Sequence, residues 1–196
     1  MEKINFIKTF IPEGQYRQKY EYGDMVVYHI NAEYNKEMNA YECYECTFPK
    51  ATFDETKVRT AFSQFSAKLD ALKLEEAKAE KIAEITDYDT SDKVNGFILN
   101  GMLVWLDKAT RVGLMNSTTI AKAAGQQTTT LWLGGLKLLV DCDKAIQLLS
   151  ALEMYALECF NVTASHKQAV SELTTIEEVD AYDYNAGYPK MLEMSV

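Results

Sequence analysis

Phe97-Ile98-Leu99-Asn100-Gly101-Met102-Leu103-Val104-Trp105-Leu106-Asp107-Lys108-Ala109 is the stretch that decides how this 196-residue chain reads. Two short apolar runs flank Asn-Gly, the dipeptide that supplies the positive φ angles of a two-residue hairpin turn. The Asp after the second run can accept from the free amides that open a helix. The order recurs in Leu131-Trp132-Leu133-Gly134-Gly135-Leu136-Lys137-Leu138-Leu139-Val140-Asp141-Cys142-Asp143-Lys144-Ala145, with Gly-Gly at the turn. The pattern predicts a hairpin feeding a helix, twice over, with Trp105 and Trp132 packing across the hairpins into the core. Neither copy carries a cluster of reactive groups.

Working outward, the first hairpin leads to a helix from Asp107 to Ala124 that Gly125 stops, then to a Gln- and Thr-rich connection. The second leads to a long helix from Asp143 to about Leu173. On it Ile146, Leu149, Leu152, Ala156, Cys159 and Phe160 form a broad apolar face, as a central helix requires. Thr175-Ile176-Glu177-Glu178 fits a capping box that opens a short last helix, which Gly187-Tyr188-Pro189 ends. Tyr182, Tyr184 and Tyr188 lie in a polar, partly irregular segment and suggest either a cover for the core or a docking surface.

Toward the N-terminus the first 50 residues are rich in Tyr, Val, Ile and Phe and broken by Pro12, Gly14, Gly23 and Pro49. They predict a three-stranded sheet, with strands Ile4–Ile11, Met25–Ile30 and Ala40–Phe48 and a loop over Asn31–Asn39. From Asp54 the period turns helical, and Val58, Phe62, Phe65, Leu69 and Leu72 recur at coiled-coil spacing in a helix of about thirty residues. Two readings stand: the stripe packs on its own domain, or it mediates self-association or partner binding. Thr86–Asp92 is a polar break and marks a domain boundary. The expected architecture is α+β, with a β-rich module at 1–50, a long helix at 51–86 and a hairpin-helix domain at 87–196.

Composition narrows function by exclusion. A formal charge of −9 and a pI near 4.8 argue against phosphate backbones and anionic membranes, whose recognition needs clustered Lys and Arg. No apolar run approaches the roughly 18 residues that span a bilayer, and the start Met1-Glu2-Lys3-Ile4-Asn5-Phe6 has no apolar signal core, so a cytosolic setting and reduced cysteines are expected. Cys43 and Cys46 have CxxC spacing, but neither Cys142 nor Cys159 brings a second ligand pair, and strand flanks put the two sulfurs on opposite faces. His29 reads as a half-buried or surface strand histidine, and His166 as a solvated one that suits the end of its helix. Adjacent Ser165 and His166 point about 100° apart and cannot act on each other. Asp87, Asp89 and Asp92 lack the glycine and twelfth-position Glu of a calcium loop. No catalytic, cofactor or metal site is expected.

Residues Val94 to Pro189 resemble a phage and prophage domain family of unknown function found at the C-terminus of tail-fibre-assembly-like and other tail-associated proteins. The matching residues are the hairpin Phe97–Val104, then Trp105 to Leu114, Thr129-Thr130-Leu131-Trp132, the helix Ala145–Phe160, and Ala181-Tyr182-Asp183-Tyr184-Asn185-Ala186-Gly187-Tyr188-Pro189. The resemblance implies a non-enzymatic protein, either a chaperone for a tail fibre or a structural adaptor. Its expected partners are a phage tail or fibre protein and further copies of itself, in the host cytoplasm during assembly or in the virion tail. A host-directed binding protein and a carboxylate-based hydrolase are the alternatives.

Overall fold

The computed structural model describes residues 4–196 as a mixed α and β chain in two compact units, Met1–Leu72 and Lys73–Val196. The division falls inside one helix.

The first unit is built on an antiparallel sheet in the order β1-β4-β3-β2, with β1 Ile7–Pro12, β2 Lys19–Tyr22, β3 Met25–Asn35 and β4 Ala40–Pro49. It has four strands where the sequence predicts three. Lys19-Tyr20-Glu21-Tyr22 escapes detection because it is an edge strand exposed at every residue, and so shows no apolar alternation. β3 runs through Asn35, past its expected end at Ile30. A bulge between Ile30 and Glu33, with Asn31 at φ 54°, lets pairing resume opposite Ala40–Glu42, and the loop shrinks to residues 36–39.

Helix α1, Glu55–Asp89, begins where the Asp54 carboxylate accepts from the amides of Thr56 and Lys57. Its first turns lie on the sheet. Val58 and Phe62 are buried with Phe6, Tyr28, Ile30 and Cys46, and Phe65 packs against them half-buried. The Phe6 ring centroid lies 5.2 Å from those of both Phe62 and Phe65. Three of the five residues of the expected association stripe are therefore taken by its own sheet, while Leu69 is half-buried and Leu72 is 68% exposed. Cys43 and Cys46 are free and buried on opposite faces, and burial raises both thiols, Cys46 to about 11. His29, expected half-buried or at the surface, is fully buried on the face away from α1, its ring nitrogens meeting the Arg17 carbonyl and the Glu45 carboxylate.

In the second unit α1 continues through Thr86–Asp89, so the expected polar break is in part the last helical turn. There Ile85 is buried with Val170 and Val179. A short α2, Asp92–Asn95, turns the chain into β5, Phe97–Leu99, which pairs antiparallel with β6, Met102–Val104, and parallel with β9, Leu192–Met194. Helix α3 follows over Lys108–Ala123, then the hairpin of β7, Thr128–Leu133, and β8, Leu136–Asp141, in a separate sheet. Long α4, Cys142–Glu172, and short α5, Ile176–Asp180, complete the unit.

The local signals act as the residues dictate. Asn100 and Gly101 have φ 50° and 81°, and Gly134 and Gly135 have 57° and 86°. Asp107 accepts from the Thr110 amide, Asp141 from those of Asp143 and Lys144, and Thr175 and Glu178 cap α5 reciprocally. Gly187-Tyr188-Pro189 does not end α5, which stops at Asp180; it leads instead toward β9, whose pairing with β5 joins residues far apart in sequence. The tryptophans are also placed differently from expectation: Val104, Leu106, Leu131 and Leu133 enter the core, and Trp105 and Trp132 alternate outward to 40% and 59% exposure.

Two substitutions test this packing. A Cβ on Gly96 would lie 2.0 Å from the Asp92 carbonyl oxygen, whereas one on Gly113, inside α3, meets nothing within 4 Å. Gly96→Ala is expected to destabilise the protein by about 2 kcal/mol in urea unfolding, and Gly113→Ala to stabilise it by about 0.5–1 kcal/mol. Equal effects would contradict the placement of the α2–β5 corner. Amide and hydroxyl donors hold the carboxyls of Asp107, Glu178 and Asp183 below their ordinary range, from Thr110, Thr174 and Asn185 respectively. Depressed folded values mean that their stabilisation is present above the ordinary carboxylate range and is lost as pH falls through the folded values. Melting temperatures are expected to fall below about pH 4, less steeply in Glu178→Gln, and a flat profile there would contradict these caps.

Candidate functional site

The second unit carries a groove of about 410 Å³ between the start of α3, the middle of α4 and the α1–α2 corner. Its geometry follows from alternation at the end of β6. Val104 and Leu106 point inward, so Trp105 stands at the rim, and Asp107 opens α3 with Oδ1 2.8 Å from the Thr110 amide and Oδ2 2.6 Å from the Thr110 hydroxyl. One turn on, Arg111 is buried. Its Nη1 donates to the Leu106 carbonyl at 2.7 Å and its Nε to Glu153 Oε1 at 2.8 Å. The charge is thus fixed between a strand end and α4 in a geometry that a lysine, with its single point charge, would not reproduce.

α4 supplies the opposite wall. Glu153, Ala156, Leu157 and Phe160 follow at spacings of three, four and seven residues, which places them on one helix face. Leu157 is 49% and Phe160 60% exposed, so Phe160, read from sequence as part of the buried face, lies at the rim instead. At the third side, Thr163 Oγ1 donates to Asp89 Oδ1 at 2.7 Å and accepts from the Tyr188 hydroxyl at 2.9 Å. The Asn95 side chain donates to the Asp89 carbonyl.

Chemically the groove is an apolar trough with fixed charges at its floor and edge. Each carboxylate that lines it already serves structure: Asp107 caps a helix, Glu153 holds Arg111, and Asp89 holds Thr163. Among the described residues no group of three or more His, Cys, Asp or Glu is placed to hold a metal ion, and no helix is long and apolar enough to cross a membrane. Exposed aromatic and aliphatic side chains around buried, fixed charge are the composition of a contact surface.

The tyrosines of the C-terminal segment serve the fold. Tyr88 meets Tyr184 and Tyr188 edge-on, with centroids 5.5 and 5.7 Å apart, and all three segment tyrosines are half-buried. His166, expected in solvent, is half-buried: Nδ1 accepts from the Tyr182 hydroxyl at 2.8 Å and Nε2–H donates to the Ala186 carbonyl at 2.9 Å, so one neutral tautomer satisfies both. Sequence reasoning did not find Arg111, Glu153 or the exposed Trp105, Leu157 and Phe160. The signal for Trp105 was present in the in-out-in alternation of Val104-Trp105-Leu106; the pairing of Arg111 with Glu153, 42 residues apart, has no local signature.

Comparison with known proteins gives one kind of match. No curated protein and no solved structure matches the chain. The family model described as a domain of unknown function (DUF4376) matches residues 76–186, more than half of the chain and all of the groove, and the protein belongs to that family.

Proposed function

We propose that this is a non-enzymatic, phage tail-associated protein, a structural adaptor or tail-fibre assembly chaperone that works by protein-protein contact through the α3–α4 groove. The observation that carries the reading is the trough itself. Trp105, Leu157 and Phe160 offer apolar surface beside a buried guanidinium that hydrogen bonds to Glu153 and the Leu106 carbonyl already hold in place. A pre-fixed polar group inside an apolar surround limits the entropy lost on association. The structural duties of Asp89, Asp107 and Glu153 support contact over hydrolysis, because a carboxylate acid-base pair needs groups free to exchange protons. The resemblance of Val94–Pro189 to tail-associated proteins supplies the setting, and the two hairpin-helix segments then form the rigid docking body.

The test is capture from a host lysate after prophage induction, with the bound proteins identified by mass spectrometry. The native chain is expected to retain a tail or fibre protein, and the double variant Trp105→Glu, Phe160→Glu to lose it while keeping its melting temperature. Capture of a host protein through the same residues would favour the host-directed reading. Capture indifferent to both substitutions would remove the groove from the function.

A further inference from the structure

The first unit leaves one sheet edge able to receive another strand. In the sheet order β1 is terminal, and six residues of it, Ile7-Lys8-Thr9-Phe10-Ile11-Pro12, run without interruption. Which backbone groups face that edge follows from the register. Pro12 pairs with Ala40, and one step on, the Glu13 amide donates to the Asn39 carbonyl. Odd-numbered residues of this strand therefore exchange their hydrogen bonds with β4, and the even-numbered Lys8, Phe10 and Pro12 turn N–H and C=O groups outward. Pro12 sits where a missing N–H costs the ladder nothing, which is where edge strands tolerate proline.

We propose that this edge pairs antiparallel with β1 of a second copy, joining two four-stranded sheets into one of eight. A two-fold axis at Thr9 sets Lys8 opposite Phe10 of the second copy, and each such pair exchanges two backbone hydrogen bonds, four in all. Thr9 then faces Thr9 across the axis, and Ile7 faces Ile11 on the side of the sheet away from α1. No like charges stand directly opposite, and the two Lys8, diagonal across the axis, are each paired with Glu42 of their own sheet. Lys8 already holds Glu42 on its own sheet and has its ammonium 5.8 Å from the Phe10 ring centroid, so the lysine that would normally guard an edge is neutralised and set against an aromatic partner.

Three observations favour a second copy over another occupant. The pairing is self-complementary residue by residue, as an isologous interface demands. Ile7 and Phe10 are 57% and 45% exposed, an unusual apolar load for a free edge. Residues 1–72 hold nine Lys and Arg against eleven Asp and Glu, so two copies of this unit meet with little net repulsion, unlike residues 73–196 with eleven against eighteen. The other edge, β2, is less suited: it is four residues long, Glu21 is tied to Lys50, and Lys19 lies over Phe53.

Light scattering and sedimentation of the full chain over a concentration series decide the matter. The native chain is expected to be dimeric. Phe10→Pro deletes an outward N–H and leaves the β4 ladder intact, and is expected to weaken the dimer at least about tenfold with unchanged circular dichroism. Ile7→Glu, at a side chain already in solvent, provides the same reading independently of any folding defect in the proline variant. A native chain that stays monomeric up to about 100 μM, or a dimer that a folded Phe10→Pro and Ile7→Glu both leave untouched, would overturn the proposal. Neither result bears on the groove, which lies in the other unit.

Discussion

The carbonyl of Val94 is the point on which the second unit depends. Val94 lies in α2, three residues before β5, and is deeply buried, where an unpaired acceptor would be costly. Two residues of α4 satisfy it, one turn apart: the Tyr155 hydroxyl at 2.7 Å and the Cys159 thiol at 3.3 Å. Burial raises both of these donors, Tyr155 far above its ordinary value, so both keep their protons and go on donating. That contact fixes the height of α4 against the α2–β5 corner. Asp89 and Asn95 on one side, and Glu153 and Phe160 on the other, then fall into place around the groove. Gly96 is the steric counterpart, because only a residue without a Cβ lets the chain turn away from the Asp92 carbonyl and enter the sheet.

In the first unit the governing constraint is aromatic. Phe6, Tyr44, Phe62 and Phe65 fill the space between sheet and helix in edge-on and tilted contacts with centroids 5.2 to 6.0 Å apart. A seven-residue apolar spacing on α1 is equally good for a sheet and for a partner helix. The sheet is covalently attached, and closing that contact costs loop entropy once, with no loss of translational freedom. The stripe therefore closes on its own module from Val58 to Phe65 and only then runs out toward Leu72, where no sheet remains beneath it.

What was legible in the sequence was local. Asn-Gly and Gly-Gly fixed two turns because few residues reach positive φ, and Asp107, Asp141 and Thr175 fixed three helix starts because unpaired amides need a nearby acceptor. What escaped was non-local or lacked a buried face. β2 is exposed throughout, β9 exists only by pairing with β5, and strand alternation sends both tryptophans outward, against the expected packing across the hairpins. The same holds for the groove: its rim residues are apolar and read as core, and its anchor is an ion pair between two helices that no short window contains. The half-buried place of His166 has no local signature, because its partners, Tyr182 and Ala186, come from a segment with no regular structure of its own.

Charge separates the two units in a way that fold alone does not. The excess of seven acidic groups in residues 73–196, eighteen against eleven, sets a repulsive background for any acidic partner of the groove, while the groove's own lining is closer to balance, with Lys108 and Arg111 beside Asp89, Asp107 and Glu153. Long-range repulsion falls within about 8 Å at physiological salt, whereas the Arg111–Glu153 pair, with Arg111 buried and Glu153 half-buried, is screened less than a fully exposed pair. In the proposed contact role, an acidic unit bearing an apolar trough would discriminate at two distances. At long range its charge would slow or speed encounter according to the partner's sign, and at contact the proposed recognition would rest on shape and on the fixed guanidinium. The first unit, with eleven acidic groups against nine basic, imposes little such filter, in keeping with the proposed pairing of β1 with a second copy.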